Sequence, residues 1–323
     1  MSMHRLKSVL LGIGAAMTLG APGWAQAPGV ATDIAAIHSL AARVMDGVGT
    51  PDLIIQQGAS PHGYSLRPSE ARALEQADVV FWVGEELTPW LDHAIESLAA
   101  DARVVALLDN PKTLTREFRE GATFEAHGHE DEQGHEDEHG HEDAHAHEDE
   151  HAHDGIDPHA WLDPENGKAW LDVIAAELSQ VDPENAGLYF ANAAEGKKEI
   201  DAAAAEVAQM FASLSDARFI VFHDAYQYFE ARYNIPAAAA ISLSDASDPS
   251  AARIAEIREY VENQGITCAF TEPQFNPGIL NAVFSGAEAK TAVIDPQGTD
   301  IAPGPGFYPA FLRSVGQAIA GCL

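Results

Sequence analysis

Three histidines outside any repeat, His62, His159 and His223, sit where turn residues or the end of an apolar run would present them. His62 lies in Gly58-Ala-Ser-Pro-His-Gly63, His159 in Asp157-Pro-His-Ala-Trp161, and His223 directly follows Phe219-Ile-Val-Phe222. A fourth loop, Val293-Ile-Asp-Pro-Gln-Gly298, places Asp295 at the end of another apolar run. Three neutral imidazoles and one carboxylate make a borderline-soft set of low coordination number. Such a set suits Zn2+, with Zn–N bonds of about 2.0–2.1 Å, whereas Mn2+ or Mg2+ want more oxygen. The four residues are 64 to 97 positions apart, so spacing alone is a weak signal. An isolated loop histidine more often serves the surface or a single hydrogen bond. His38 and His93 fall inside helical patterns and are read as ordinary helix residues.

The elements around these residues alternate. Leu53 to Ile55, Val79 to Val83 and Val104 to Leu107 read as buried strands, with helices at 34–48, 68–76 and 88–99 between them. The alternation returns after residue 215, with strands at 219–222, 237–243, 267–270 and 291–294 and helices at 225–233, 249–264, 277–287 and 308–320. Strands separated by helices of 10–15 residues imply βαβ units and mostly parallel sheets. The expected fold is therefore α/β, with two βα lobes. Between them, a helix at 164–179 is followed by a longer helical pattern from Asp182-Pro183 to Leu214. About 31 residues of it at 1.5 Å each would form a rod of roughly 46 Å. The expected division is an N-terminal lobe over 26–181, a linker helix over 182–214 and a C-terminal lobe over 215–323. In open α/β sheets ligands bind beyond the carboxyl ends of the strands. Two of the four candidate ligands fall in each lobe, so a metal held by all four would sit in the interlobe cleft.

Three further segments bear on function. Arg5 and Lys7 precede the apolar run Val9 to Leu19, and small residues follow to Ala25, the layout of a cleaved secretory signal peptide over 1–25. Residues 127–153 hold nine histidines (His127, His129, His135, His139, His141, His145, His147, His151 and His153) and eleven acidic residues, with no Lys or Arg. Such a segment cannot bury apolar surface, so it is read as a disordered loop and an auxiliary, low-affinity collector of divalent metal. The two cysteines, Cys268 and Cys322, are read as a disulfide, as befits an even pair in an exported chain. With 18 basic against 50 acidic residues, the net charge of −32 argues against nucleic acid or an anionic membrane as partner.

The stretch Gly58-Ala-Ser-Pro-His-Gly-Tyr-Ser-Leu-Arg-Pro-Ser-Glu70 resembles the first metal-ligand motif of the zinc-uptake solute-binding proteins of ABC transporters. Asp157-Pro-His-Ala-Trp-Leu-Asp-Pro164 resembles their second motif. Phe222-His-Asp-Ala-Tyr-Gln-Tyr-Phe229, Glu272-Pro-Gln-Phe275 and Ile294-Asp-Pro-Gln-Gly-Thr299 resemble the C-terminal ones. The resemblance covers essentially the whole mature chain and includes the His-rich insertion. It implies a monomeric periplasmic protein with Zn2+ as cargo, metal ligands at His62, His159, His223 and Asp295, and a rigid helix joining the lobes. It also implies a membrane permease as partner; periplasmic metal chaperones are a further candidate, for which no residue of the sequence speaks. Manganese-binding relatives tend to carry a carboxylate where this chain has His223. Some zinc-binding relatives carry an acidic residue where it has Pro61. The fourth position is accordingly open between Asp295, a water and a loop residue. The alternatives are a Mn2+ or Fe2+ member of the same family, a metal buffer working through the insertion, and a secreted zinc hydrolase with Glu272 as its base. No H-E-x-x-H motif supports the last.

Overall fold

The computed structural model describes residues 27–119, 123–124, 155–212, 214, 218–242, 249–275, 284 and 289–323. In chain order the first sheet is built from β1 (Val30–Thr32), β2 (Asp52–Leu53), β3 (Val79–Trp82) and β4 (Arg103–Ala106). The second is built from β5 (Phe219–His223), β6 (Ala239–Ser242), β7 (Cys268–Thr271) and β8 (Lys290–Val293). Both sheets are parallel throughout and share one strand order, β2-β1-β3-β4 and β6-β5-β7-β8. The two-lobed α/β expectation holds. The central strand β1 escaped it, because Val-Ala-Thr is too short to display a period.

Helices α1 (Ala35–Val44), α2 (Pro68–Glu75) and α3 (Pro89–Leu98) follow the first three strands. The first is shorter than expected: its pattern breaks at Asp46-Gly47, where Gly47 takes a φ of 82° that side chains with a Cβ rarely adopt. Helix α4 (Pro164–Val181) is capped by Asp163, whose carboxylate accepts from the Glu165 backbone N–H at 2.9 Å.

The long connecting helix, α5 (Ala186–Phe211), is 26 residues, about 39 Å at 1.5 Å per residue, rather than the rod of roughly 46 Å expected. Pro183–Asn185 form a separate 3-10 turn. Asp182 does not cap α5; its carboxylate accepts from the Tyr189 hydroxyl and the Asn185 amide, each at 2.7 Å. Tyr189, Ala193, Gly196, Ile200, Ala203, Val207 and Phe211 form one buried stripe at steps of three or four. Where α5 crosses α4, a Cβ on Gly196 would come within 2.9 Å of the Leu171 side chain, so the small residue permits the close approach.

The second lobe contributes α6 (Gln227–Tyr233), α7 (Ala251–Gln264) and α8 (Phe307–Cys322). The helix expected at 277–287 lies outside the described residues. Helix α8 crosses back to pack on α5 and α1. There the Tyr308 hydroxyl donates to the Trp161 carbonyl at 2.7 Å, and Gly167 leaves room for the Tyr308 ring. One continuous hydrophobic core therefore runs from Val30 and Phe81 through α5 to Phe270 and Phe307, and a smaller one covers the outer face of the second sheet. The shared core makes each lobe the other's wall and leaves little freedom for large rigid-body rotation.

Cys268 and Cys322, 54 positions apart, are bridged, tying the end of α8 to the start of β7. Replacing both by Ala is expected to lower stability by up to about 4 kcal/mol on the loop-entropy account. Binding of the metal that the resemblance implies should barely change, because Cys268 lies at the start of β7, away from the strand's carboxyl end. Urea unfolding with parallel chelator titrations checks both halves; a large affinity loss would show that the bridge positions the interlobe cleft.

Candidate metal centre

His62, His159 and His223 converge. The His62 and His159 ring centroids are 5.7 Å apart and those of His159 and His223 5.3 Å apart. All three line one pocket between the lobes together with Glu272, Gln274 and Phe275, beneath Pro296 and Gln297. His159 and His223 are buried, while His62 is partly exposed.

Each histidine reaches the pocket by a different local device. His62 rides on the loop after β2. The Trp90 indole N–H donates to the Pro61 carbonyl at 2.7 Å, and the Tyr64 hydroxyl donates to Glu70 at 2.8 Å, fixing that loop on α2 and α3. His159 opens the 3-10 turn Ala160–Leu162 that leads into α4. Asp157 accepts from the backbone N–H of His159 at 2.9 Å and lies 2.7 Å from its Nδ1. From the second lobe, the Tyr228 hydroxyl donates to the Asp157 carbonyl at 2.7 Å.

His223 is the last residue of β5, and its Nδ1 lies 2.7 Å from Glu272 Oε1. The β5–β7 register pairs Phe219 with Cys268 and Ile220 with Ala269. Carried forward, that register brings Glu272 level with His223. The order β6-β5-β7-β8 makes this the point where the connections diverge, the usual binding crevice of an open parallel sheet.

When these carboxylates are ionised they only accept hydrogen bonds, so each Nδ1 then carries the proton and each Nε2 keeps the lone pair a metal requires. The pairing also raises imidazole basicity. Burial pushes the Asp157 carboxyl up to about 7, against the lowering effect of the His159 backbone N–H. A dication at His159 Nε2 would favour its ionised form.

Asp295 is placed differently. It ends the run after β8, but its carboxylate accepts from the backbone N–H groups of Gln297 at 2.9 Å and Thr299 at 2.6 Å. It is not among the residues that line the pocket. His38 and His93 lie on helices as expected. His38 is buried in α1 with Nε2 3.1 Å from the Pro51 carbonyl, and exposed His93 on α3 lies 3.8 Å from Glu96. The nine histidines of 127–153 lie outside the described residues.

Two features exceeded the sequence reading. In the sequence Glu272 reads as part of a motif and as a conceivable hydrolytic base, whereas in the structure it lies 2.7 Å from His223 Nδ1 and orients that ring. Asp157 was read only as part of a motif, although a carboxylate two residues before a loop histidine is itself a signal of that role.

The match to the family model described as Zinc-uptake complex component A periplasmic extends over residues 30–322. The chain belongs to this family. Its relatives include the high-affinity zinc uptake system protein ZnuA of Paracoccus denitrificans (strain Pd 1222), 47% identical over 309 residues and covering 95% of each chain. The protein of the same name in Brucella abortus (strain 2308) is 45% identical over 305 residues, covering 91% of each. Among solved structures, the periplasmic zinc binding protein TroA from Treponema pallidum superposes with a TM-score of 0.72 at 17% identity, covering 91% of this chain and 98% of that one. A crystal structure of ZnuA gives 0.70 at 22% identity, covering 91% and 98%. These structures carry the same fold of two parallel-sheet lobes. Family membership makes the chain a solute-binding component, not an enzyme. Among the described residues no helix is long and apolar enough to cross a membrane.

Proposed function

We propose that this protein captures Zn2+ with high affinity at His62, His159 and His223 and delivers it to the membrane permease of an ABC importer. The observation that carries the reading is the pair of buried carboxylates, Asp157 and Glu272, each 2.7 Å from the Nδ1 of a pocket histidine. Three imidazoles so arranged form a nitrogen-rich site that favours zinc over harder divalent ions. Asp157 and Glu272 offer two negative charges against the two positive charges of the ion, which removes most of the cost of burying it. The family and the ZnuA relatives support zinc as cargo and the periplasm as location. Residues 1–25 act as the cleaved export signal. Residues 26–181 and 215–323 serve as the lobes and 182–214 as the link, and 127–153 serves as a weaker collector of metal.

The experiment is zinc stoichiometry and affinity by chelator competition on the mature chain with and without residues 127–153. One tight site that survives the deletion is expected. Loss of all tight binding would move the receptor into the His-rich segment and overturn the reading.

Affinity should also fall as the pH drops from 7 to 5.5. Imidazoles ligate a metal only when neutral, and burial pushes the Asp157 carboxyl up to about 7, so protons held by the free protein at low pH must leave when metal binds. Proton uptake by the free form alone makes binding weaker at the lower pH. Equal dissociation constants at the two pH values would rule out imidazole ligation.

A further inference from the structure

Gln274 connects the pocket to Asp295. Gln274 lines the pocket, and its amide Nε2 donates to Asp295 Oδ1 at 3.4 Å. That long contact adds to the two backbone N–H bonds, so the Asp295 carboxylate is held on its own loop from three directions. The other end of the same amide, Oε1, is buried without a hydrogen-bond partner among the described residues. So is the Thr299 hydroxyl, whose backbone N–H serves Asp295.

We propose that Gln274 is a specificity-determining residue: by holding Asp295 on its loop it keeps a hard carboxylate away from the metal and sets the preference for Zn2+ over Mn2+. This rests on the three-histidine zinc reading above. Charge and donor chemistry both support it. With Asp295 restrained, the ion meets three neutral imidazoles, and its two charges face the carboxylates of Asp157 and Glu272. Were Asp295 to swing in, the pocket would gain an oxygen donor and an excess negative charge. Both changes favour a harder ion that wants more oxygen ligands, of which Mn2+ is the clearest probe. Gln274 touches no metal in this account and acts through Asp295.

The test is Gln274→Met in the full-length mature protein, which keeps the length of the side chain and removes the amide. Zn2+ and Mn2+ affinities are measured separately by competition, alongside the Co2+ absorption spectrum and the unfolding transition of the metal-free protein. The expected result is a zinc-to-manganese affinity ratio lowered by about tenfold or more, with the gain in Mn2+ binding abolished in the double variant Gln274→Met/Asp295→Asn. A Co2+ spectrum altered in the single variant and restored in the double one supports the same conclusion. An unchanged ratio in a folded single variant overturns the proposal, as does a changed ratio that persists when Asp295 is Asn. Should Gln274→Met fail to fold, Asp295→Asn alone decides: wild-type zinc affinity and ratio are expected, and a marked zinc loss would make Asp295 a ligand despite Gln274. If the wild-type protein itself shows no tight zinc site, the zinc reading fails, which is a separate result.

Discussion

Replacing His223 by Ala is expected to lower zinc affinity by about 10²–10³-fold, while Glu272→Gln costs about 10–100-fold. The first figure follows from the roughly 10–16 kcal/mol of a four-ligand structural zinc site, which is about 2.5–4 kcal/mol per ligand. The second is smaller because Gln can still accept from His223 Nδ1 through its own oxygen. The ring then keeps its tautomer and aim but loses the neighbouring charge that makes it a better donor and offsets the ion. Glu272 acts through His223, at 2.7 Å from its Nδ1, so the two effects should not add. In the His223→Ala background, Glu272→Gln should change affinity little. Chelator competition on the four proteins of the cycle measures this. If Glu272→Gln costs as much as His223→Ala and the two losses add, Glu272 contacts the metal itself. The site would then be one of mixed nitrogen and oxygen donors.

His62, His159 and His223 are legible in the sequence, because each sits beside turn residues at the end of a strand or in a loop, and parallel sheets bring such ends to one crevice. What the sequence could not supply was strand order. Glu272 becomes the partner of His223 only when β5 and β7 are neighbours in a particular register, and nothing local in either strand announces that pairing. The same applies to Asp295. Its position after a strand made it resemble a ligand, but its hydrogen bonds to Gln297 and Thr299 are properties of a folded loop. Strand β1 was missed for a different reason. It lies at the centre of its sheet, and the backbone bonds of its neighbours stabilise three residues that carry no pattern of their own. Asp182-Pro183 is a good start signal, so the sequence pattern begins the long helix three residues before the structure does. The Asp182 carboxylate instead holds Tyr189 and Asn185, and α5 begins at Ala186.

Arg119→Met is expected to destabilise the protein by about 3–5 kcal/mol, a large part of the total stability of an ordinary domain. Arg119 lies on the chain after β4, in the first lobe, and reaches two buried carboxylates of the second, Asp224 and Glu230. Its Nε donates to both oxygens of Asp224 at 3.0 Å, and its Nη1 and Nη2 donate to Glu230 at 2.6 and 3.1 Å. The guanidinium also lies 3.6 Å from the centre of the Phe124 ring, next to the bridge from Thr123 to Ala239 on the edge strand β6. Without Arg119 the two carboxylates face each other in the interior with no cation between them. Burial already pushes Glu230 above its ordinary value, and Arg119 is the largest influence holding it down. The sign of the pH dependence follows. In the variant, Glu230 is raised further above its unfolded value, so the folded state binds the proton more tightly than the unfolded chain. The lost stability should return in part as the pH falls toward 5 and be most severe above 7. Glu230→Gln in the same chain should recover part of the deficit at neutral pH by removing one of the stranded charges. Urea unfolding at pH 5.5 and 7.5 distinguishes this from simple loss of packing, which would cost the same at both. Because Asp224 follows His223 directly, zinc affinity should fall in parallel, making the clamp a link between the joining of the lobes and the aim of a metal ligand.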